Sequence, residues 1–489
     1  MTRLVSVPLW LLVLVLALAL WAALDRLLLP SVRWFLRSRA NRVLDEVRQR
    51  FRIEIRPFQL TGRRVLIDRL VYDTQVVEAA QGFAREEGMP REVAMARVER
   101  YAREIVPAFN AYFYFRLGYW IARRVARLLY RVRLGSIDTA ALDAVPADST
   151  VVFVINHRSN MDYVLVGYLV SSRTALSYAV GEWARVWPLE AMLKAMGAYF
   201  VRRRSRNTLY RRVLERYVQM ATAAGVPQAI FPEGGLTRDG RLQPAKLGLL
   251  DYMVKAFDPR GERDVVFVPV AVNYDRVLED RTLLLELEPE RPRPGLVGAV
   301  GRFAAFVGGQ MALVAGRRWH RFGYACVNFG VPLSLRAWCA ERGVDPRPLS
   351  REERFARVGE LGAELMGRIG EVVPVVPVSL VATVLLRDPA RRFTELELGG
   401  EAMELMRALE AAGAKVYLPR RDVDYAIRVG LRMLRLRRLL AEEEGLLRLA
   451  PGQEGVVAYY ARSIEHLLPP AMLPAATHGD ARPPVLTPR

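Results

Sequence analysis

Between about residues 136 and 345, short runs of branched and aromatic residues alternate with helical stretches. Val151–Ile155, Gln228–Phe231, Val265–Val272 and Tyr324–Phe329 read as buried strands, and 206–224 reads as a helix between two of them. Gly197–Arg204 reads as a further strand that ends in arginines. Strands that alternate with helices predict an α/β domain with a mixed or parallel sheet. Ligands of such sheets sit at the carboxyl ends of the strands. The chemistry should therefore lie in the segments that follow the strands.

The flanks read differently. Residues 30–135 show helical character with little strand alternation, and 346–470 turn helical again. Leu4–Leu24 carries no charged residue over 21 positions. At about 1.5 Å per residue this predicts one transmembrane helix. Arg26, Arg33, Arg37, Arg39 and Arg42 follow it and only Arg3 precedes it. That bias predicts the bulk of the chain on the cytoplasmic side of a cell membrane. Ala17-Leu18-Ala19 resembles a signal-peptide cleavage site, but a signal peptide carries its positive charge on the other side. The expected organisation is an anchor over 1–29, a helical region over 30–135, a catalytic α/β domain over 136–345, a helical region over 346–470 and a disordered tail over 471–489. Val372–Leu386 is apolar but holds Pro374 and Pro377, which argues against a second span.

Composition narrows the partners. The formal charge of +20 suits an anionic partner: nucleic acid, anionic lipid or a phosphorylated substrate. The segment 121–133 predicts a basic amphipathic helix, with Arg123, Arg124, Arg127 and Arg131 near one face and Val125, Leu128, Leu129 and Val132 on another. It suits either an acidic membrane surface or ordinary packing with a solvated face. Two cysteines, Cys326 and Cys339, exclude a disulfide scaffold and a four-cysteine zinc site.

Four segments carry candidate chemistry. His157 follows the first strand, and Asp162 stands five residues on. A carboxylate bonded to Nδ1–H would leave Nε2 free to take a proton from a hydroxyl group. The alternative for the pair alone is a loop histidine and an aspartate that favours its helix N-terminus. Gly197-Ala-Tyr-Phe-Val-Arg-Arg-Arg204 brings Arg202 and Arg203, suited to phosphate or to solvent. Phe231–Arg241 holds Glu233, Gly234, Gly235 and Arg238, and Lys246 follows. Its glycines let the backbone approach a ligand. Val268–Asp275, with Pro269, reads as scaffold that borders the site.

Taken in order, these segments resemble the four conserved blocks of the glycerolipid acyltransferase superfamily. His157-x4-Asp162 matches the catalytic block, Gly197–Arg203 and Phe231–Arg238 the second and third, and Val268–Tyr274 the fourth. His157-Arg-Ser-x-Met-Asp162 is closer to the large bacterial membrane glycerol-3-phosphate acyltransferases than to the lysophosphatidate enzymes. Asn328–Pro332 and Tyr459–Leu467 are similar to later segments of that group. The chain departs from the family at Leu236, where the third block usually has an arginine, and at Thr237, where it usually has serine.

The resemblance implies an acyltransferase-type mixed sheet flanked by helices. It implies acyl transfer from acyl-CoA or acyl-carrier protein to glycerol 3-phosphate, with lysophosphatidate or dihydroxyacetone phosphate as alternative acceptors. His157 would be general base and Asp162 its orienting partner. Arg202, Arg203 and Arg238 would hold phosphate, and Ser159, Glu233, Gly234, Gly235 and Lys246 would support the site. No metal or bound cofactor is implied; membrane phospholipid is an expected partner and nucleic acid is not. A basic membrane tether without activity would explain the charge but not the four ordered blocks. No Gly-x-Ser-x-Gly elbow is present, and neither cysteine adjoins a histidine in sequence, so direct transfer is expected.

Overall fold

The computed structural model describes residues 56–170, 174–181, 184–185, 189–202, 205–287, 321–469 and 472. The expected span at 4–24 and the expected tail at 471–489 lie outside these, Met472 apart. Among the described residues, no helix is long and apolar enough to cross a membrane.

After a single helical turn over Pro57–Leu60 come helices α1 (Arg63–Val71), α2 (Thr74–Glu86) and α3 (Arg91–Ile105). A π-helical turn over Phe113–Gly118 leads into α4 (Tyr119–Leu129). There the single basic helix expected over 121–133 breaks. Tyr130 is extended, and Arg131–Ile137 forms strand β1, parallel to β7 (Tyr324–Phe329). The buried Tyr130 hydroxyl donates to the Arg276 carbonyl at 2.8 Å, and Arg131 N–H donates to Gly323 O at 2.9 Å. Completing a sheet edge wins over one more helical turn. The buried face of α4 is Ala122 and Ala126, while Leu128 is 50% exposed.

The remaining strands are β2 (Thr150–Ile155), β3 (Ser177–Gly181), β4 (Ala198–Val201), β5 (Gln228–Ile230), β6 (Val265–Tyr274) and β8 (Leu333–Ser334). The sheet order is β1-β7-β6-β2-β5-β3-β4, and β8 pairs with β6. Strands β6, β2, β5, β3 and β4 run parallel, whereas β7 runs antiparallel to β6. This is a mixed, mostly parallel sheet flanked by helices. All ten residues of β6 are buried, as a central strand covered on both faces requires. The carboxyl ends of the five parallel strands open on one edge.

Between strands lie α5 (Met161–Val170), α6 (Thr208–Ala223), α7 (Gly248–Lys255) and α8 (Asp280–Leu285). Beyond the sheet come α9 (Arg351–Glu371), α10 (Pro377–Arg387), α11 (Glu395–Ala411), α12 (Val423–Leu436) and α13 (Glu454–Arg462). Pro377 starts α10 rather than interrupting a span, since its missing N–H is unneeded at the first position. The helical C-terminal region also holds a hairpin, β9 (Leu440–Glu443) and β10 (Leu446–Leu449). Glu444 and Gly445 turn it with φ of 53° and 78°. Helix α10 packs among α11, α12 and α13. One continuous apolar core runs from Leu66 through the sheet to Leu468. Cys326 and Cys339 are free and buried, and burial pushes their thiols up to about 12 and about 11.

Candidate active site

The site starts where β2 leaves the sheet. The Asn156 side chain continues the β2–β6 pairing: its amide donates to Val272 O at 3.0 Å and its oxygen accepts from Val272 N–H at 2.7 Å. His157 follows, 1% exposed. Its Nδ1 lies 2.9 Å from Asp162 Oδ2, at the start of α5. A carboxylate only accepts, so Nδ1 carries the proton and Nε2 is the basic nitrogen. Nε2 is buried and has no hydrogen-bond partner among the described residues. The ring lies against Phe231 at a tilt of 36°, 4.2 Å between centroids, and Tyr163 meets it edge-on at 5.4 Å.

Asp162 is fully buried and held from several sides. Arg158 N–H and Ser159 N–H donate to Oδ2 at 2.8 and 3.0 Å, and the Tyr274 hydroxyl donates to Oδ1. These donors stabilise an anion that would otherwise be costly to bury. The expectation that Asp162 turns back onto His157 is met by this geometry.

The loop after β5 closes the other side. Glu233 Oε1 accepts from His157 N–H at 2.7 Å, and Oε2 accepts from Gln243 N–H at 3.0 Å. Burial pushes the Glu233 carboxyl up to about 7, against those two donors and the nearby Arg158 cation. Thr237 N–H donates to His157 O at 2.9 Å. Gly234 has φ of 66°, and a Cβ there would stand 2.6 Å from Lys246 Cδ. A side chain there would be strained by that φ and would push the flexible Lys246 stem aside. Gly234 N–H is used inside the turn, on Phe231 O, so it is not free to face an oxyanion. Gly235 and Leu236 follow at half-buried positions, with Leu236 packed against the core.

The expected phosphate-binding residues separate. Arg202 directly follows β4, which is separated from β2, the strand that leads to His157, by β5 and β3. Its guanidinium forms a two-pronged pair with Glu104 at 2.8 and 2.6 Å and lies over the rings of Tyr101 and Tyr210. Glu104 holds that cation firmly charged. Arg203 lies outside the described residues. Arg238 pairs with Glu286 at 3.3 Å, both 45% exposed. Such a pair is weak and easily exchanged. The exposed Lys246 has no carboxylate partner among the described residues.

Three contributors escaped the sequence reading. Arg158 stands inside the His157–Asp162 motif, yet nothing local assigns it a role. Its guanidinium is 1% exposed and donates to Gly240 O at 2.6 Å and Ser463 O at 2.9 Å. Tyr274 belongs to the segment read as scaffold but reaches Asp162. Glu279 accepts from Ser159 Oγ at 2.8 Å and from Asn160 N–H at 3.2 Å, capping the loop before α5. No motif marks Glu279.

Residues 136–273 match the family model described as Acyltransferase. Residues 310–481 match the Glycerol-3-phosphate acyltransferase C-terminal region. The chain is similar to the glycerol-3-phosphate acyltransferases. A glycerol-3-phosphate acyltransferase of Pseudomonas putida is 28% identical over 431 residues, covering 85% of this chain and 50% of the relative. Those of Aeromonas hydrophila and Xylella fastidiosa are 29% and 28% identical, covering 70% and 73% of this chain and 42% and 41% of their own lengths. The chain thus spans about half, or less, of the curated relatives it matches. The crystal structure of a 1-acyl-sn-glycerophosphate (LPA) acyltransferase from Thermotoga maritima overlaps with a TM-score of 0.30 at 18% identity, over 62% of this chain and 95% of that one. An overlap that low carries no argument. The resemblance read from the four blocks is borne out by the family matches and the relatives.

Proposed function

We propose that this chain transfers a fatty acyl group from a thioester, acyl-CoA or acyl-carrier protein, to the sn-1 hydroxyl of glycerol 3-phosphate. The product is 1-acyl-glycerol 3-phosphate, the first intermediate of phospholipid synthesis. The observation that carries the reading is the buried imidazole of His157, bonded through Nδ1 to Asp162 with Nε2 unpartnered among the described residues.

In the proposed step, Nε2 takes the hydroxyl proton as the oxygen attacks the thioester carbonyl. Asp162 stabilises the imidazolium that forms. The tetrahedral intermediate then expels the thiolate, which receives that proton. General-base help of this kind supplies about 10²–10⁴-fold. The N–H groups of Gly235 and Leu236, which have no acceptor among the described residues, suit the developing oxyanion. Arg238 and Lys246 are the proposed phosphate grip, both on the loop that touches His157. Arg202 would join only by leaving Glu104. No enzyme-bound acyl group is needed, so both substrates bind before product leaves.

The reaction is assigned to the cytoplasmic face of a cell membrane. The apolar run 4–24 supports this, as does the outer face of α4. There Trp120 and Leu128 are 54% and 50% exposed beside Arg123, Arg124 and Arg127, which have no carboxylate partner among the described residues.

Leu236 motivates a second reading, transfer to lysophosphatidate or dihydroxyacetone phosphate. Membranes that contain the protein, supplied with labelled acyl-CoA or acyl-carrier protein and each acceptor in turn, separate the two. Product from glycerol 3-phosphate above all other acceptors is expected. Turnover of the alternatives alone would overturn the first reading.

A further inference from the structure

The buried cation between the site and the C-terminal region is not used by the acyl-transfer step above. Arg158 is buried, yet among the described residues its guanidinium meets no carboxylate in a salt bridge; its two direct acceptors are the carbonyls of Gly240 and Ser463. Its Nε has no partner among the described residues. A buried charge satisfied in this way is expensive, and a well-packed apolar side chain of similar volume would serve a purely scaffolding role better. What the guanidinium does provide is direction.

Three segments meet at that point. The first is the catalytic loop, where Arg158 N–H itself binds Asp162 Oδ2 at 2.8 Å. The second is the turn at Gly240. Gly240 has φ of 91°, and a Cβ there would fall 2.0 Å from Tyr459 O, so the turn and α13 touch backbone to backbone. The third is the end of α13 and the residues after it. The Tyr459 hydroxyl donates to Arg158 O at 3.4 Å, Arg241 pairs with Glu465 at 2.7 Å, and Asn273 of β6 donates to Ser463 Oγ at 3.2 Å. Arg158 and Ser463 are 305 residues apart in sequence.

We propose that Arg158 is a positioning residue through which the C-terminal segment 459–465 fixes the His157–Asp162 loop. The segment lies within the matched C-terminal region, and the proposal gives that region a role in catalysis: it forms the rear wall of the loop that carries the base. The guanidinium spans two carbonyls on two different segments, so it sets the direction of the backbone that holds Asp162. Misplacement of about 1 Å at a reacting group can cost about 10²-fold in rate. This role rests on the acyl-transfer reading above.

The test uses the full chain with Arg158→Met and Arg158→Lys, assayed by acyl transfer and by hydrogen–deuterium exchange. In Arg158→Met, kcat per folded molecule should fall about 10²-fold while KM for both substrates stays within about threefold. Arg158→Lys, which keeps the charge and can reach one carbonyl, should recover about tenfold of that loss. The peptide covering 156–162 should exchange faster in Arg158→Met than in wild type. An unchanged kcat with a lower melting temperature would make Arg158 scaffold only. A raised KM for glycerol 3-phosphate at constant kcat would make it a ligand contact. Either result overturns the proposal. If Arg158→Met does not fold, Arg158→Lys with wild-type kcat does the same. If wild type transfers acyl groups to no acceptor, the functional reading fails; faster exchange of 156–162 would still support the clamp, and unchanged exchange would sink it.

Discussion

Replacing Asp162 by asparagine changes one atom and one charge at the centre of the proposed site. The amide oxygen can take the place of Oδ2 and still accept from His157, Arg158 N–H and Ser159 N–H. The amide nitrogen then faces the Tyr274 oxygen, which can accept in turn. Hydrogen bonds to a charged acceptor contribute about 1.5–3 kcal/mol and neutral ones about 0.5–1.5. Four weakened bonds suggest a loss of up to about 4 kcal/mol, offset by no longer burying an anion. The folded protein should therefore survive, with a stability change of about 1–3 kcal/mol. Turnover should not survive. The imidazolium formed at the transition state loses its counter-charge, and the loss should match the whole of general-base catalysis, about 10²–10⁴-fold in kcat. That is about 3–5 kcal/mol of barrier. KM for both substrates should stay within about threefold, because the carboxylate touches neither. Steady-state transfer of labelled acyl groups to glycerol 3-phosphate measures this, alongside His157→Ala and the double variant. Two residues that act as a unit give a double variant no worse than His157→Ala alone. Asp162→Asn with more than about a tenth of wild-type kcat, or losses that multiply in the double variant, would refute the reasoning.

Leu236→Arg should lower KM for glycerol 3-phosphate about three- to tenfold by adding a further cation beside Arg238 and Lys246. The same change should cost about 1 kcal/mol of stability, because the leucine side chain packs against the core. An unchanged KM would show that the phosphate sits elsewhere. Gly240→Ala should destabilise by more than about 1 kcal/mol, since its positive φ and the Tyr459 carbonyl both resist a Cβ; a thermal melt checks it. Burial pushes the carboxyls of Glu233 and Asp275 up to about 7, while the unfolded chain releases those protons near about pH 4. The folded state then binds more protons across that window, so their contribution to stability is highest at its acid end and is lost as pH rises through about 7. Denaturant titrations of wild type and Glu233→Gln from pH 4 to 8 should show a shallower decline in the variant, and parallel curves would contradict the assignment. Vesicles of anionic lipid should bind the protein more weakly, by about 10²-fold or more, when Arg123, Arg124 and Arg127 become glutamate; equal binding would remove α4 as a docking face.

The sequence made the sheet and its motifs legible because their signals are local. Tyr324–Phe329 is bounded as expected, and 151–155 and 265–272 come within two residues of their strands. His157 and Asp162 could be paired because five residues of loop and one helical start fix their separation. Strand β1 was hidden because its first residues, Arg131, Val132 and Arg133, also fit a basic amphipathic helix, and only the partner β7, almost 200 residues later, makes extension favourable. Arg158 was hidden for the same reason: both of its acceptors are backbone carbonyls, which leave no trace in side-chain pattern. Arg202 shows the converse. A cationic run after a glycine and two aromatics suggests phosphate, but Glu104 on α3, a feature of no motif, already occupies the fork.

The two sulfhydryl groups give the molecule a practical property. Both sit in the apolar interior with their ionisation suppressed, so at neutral pH almost none is present as the reactive thiolate. Maleimide reagents should pass over the native protein. A cysteine placed on the outer rim of the site or on α4 would then be the one that labels, and a single dye there would report approach to a bilayer or arrival of substrate without any background to subtract.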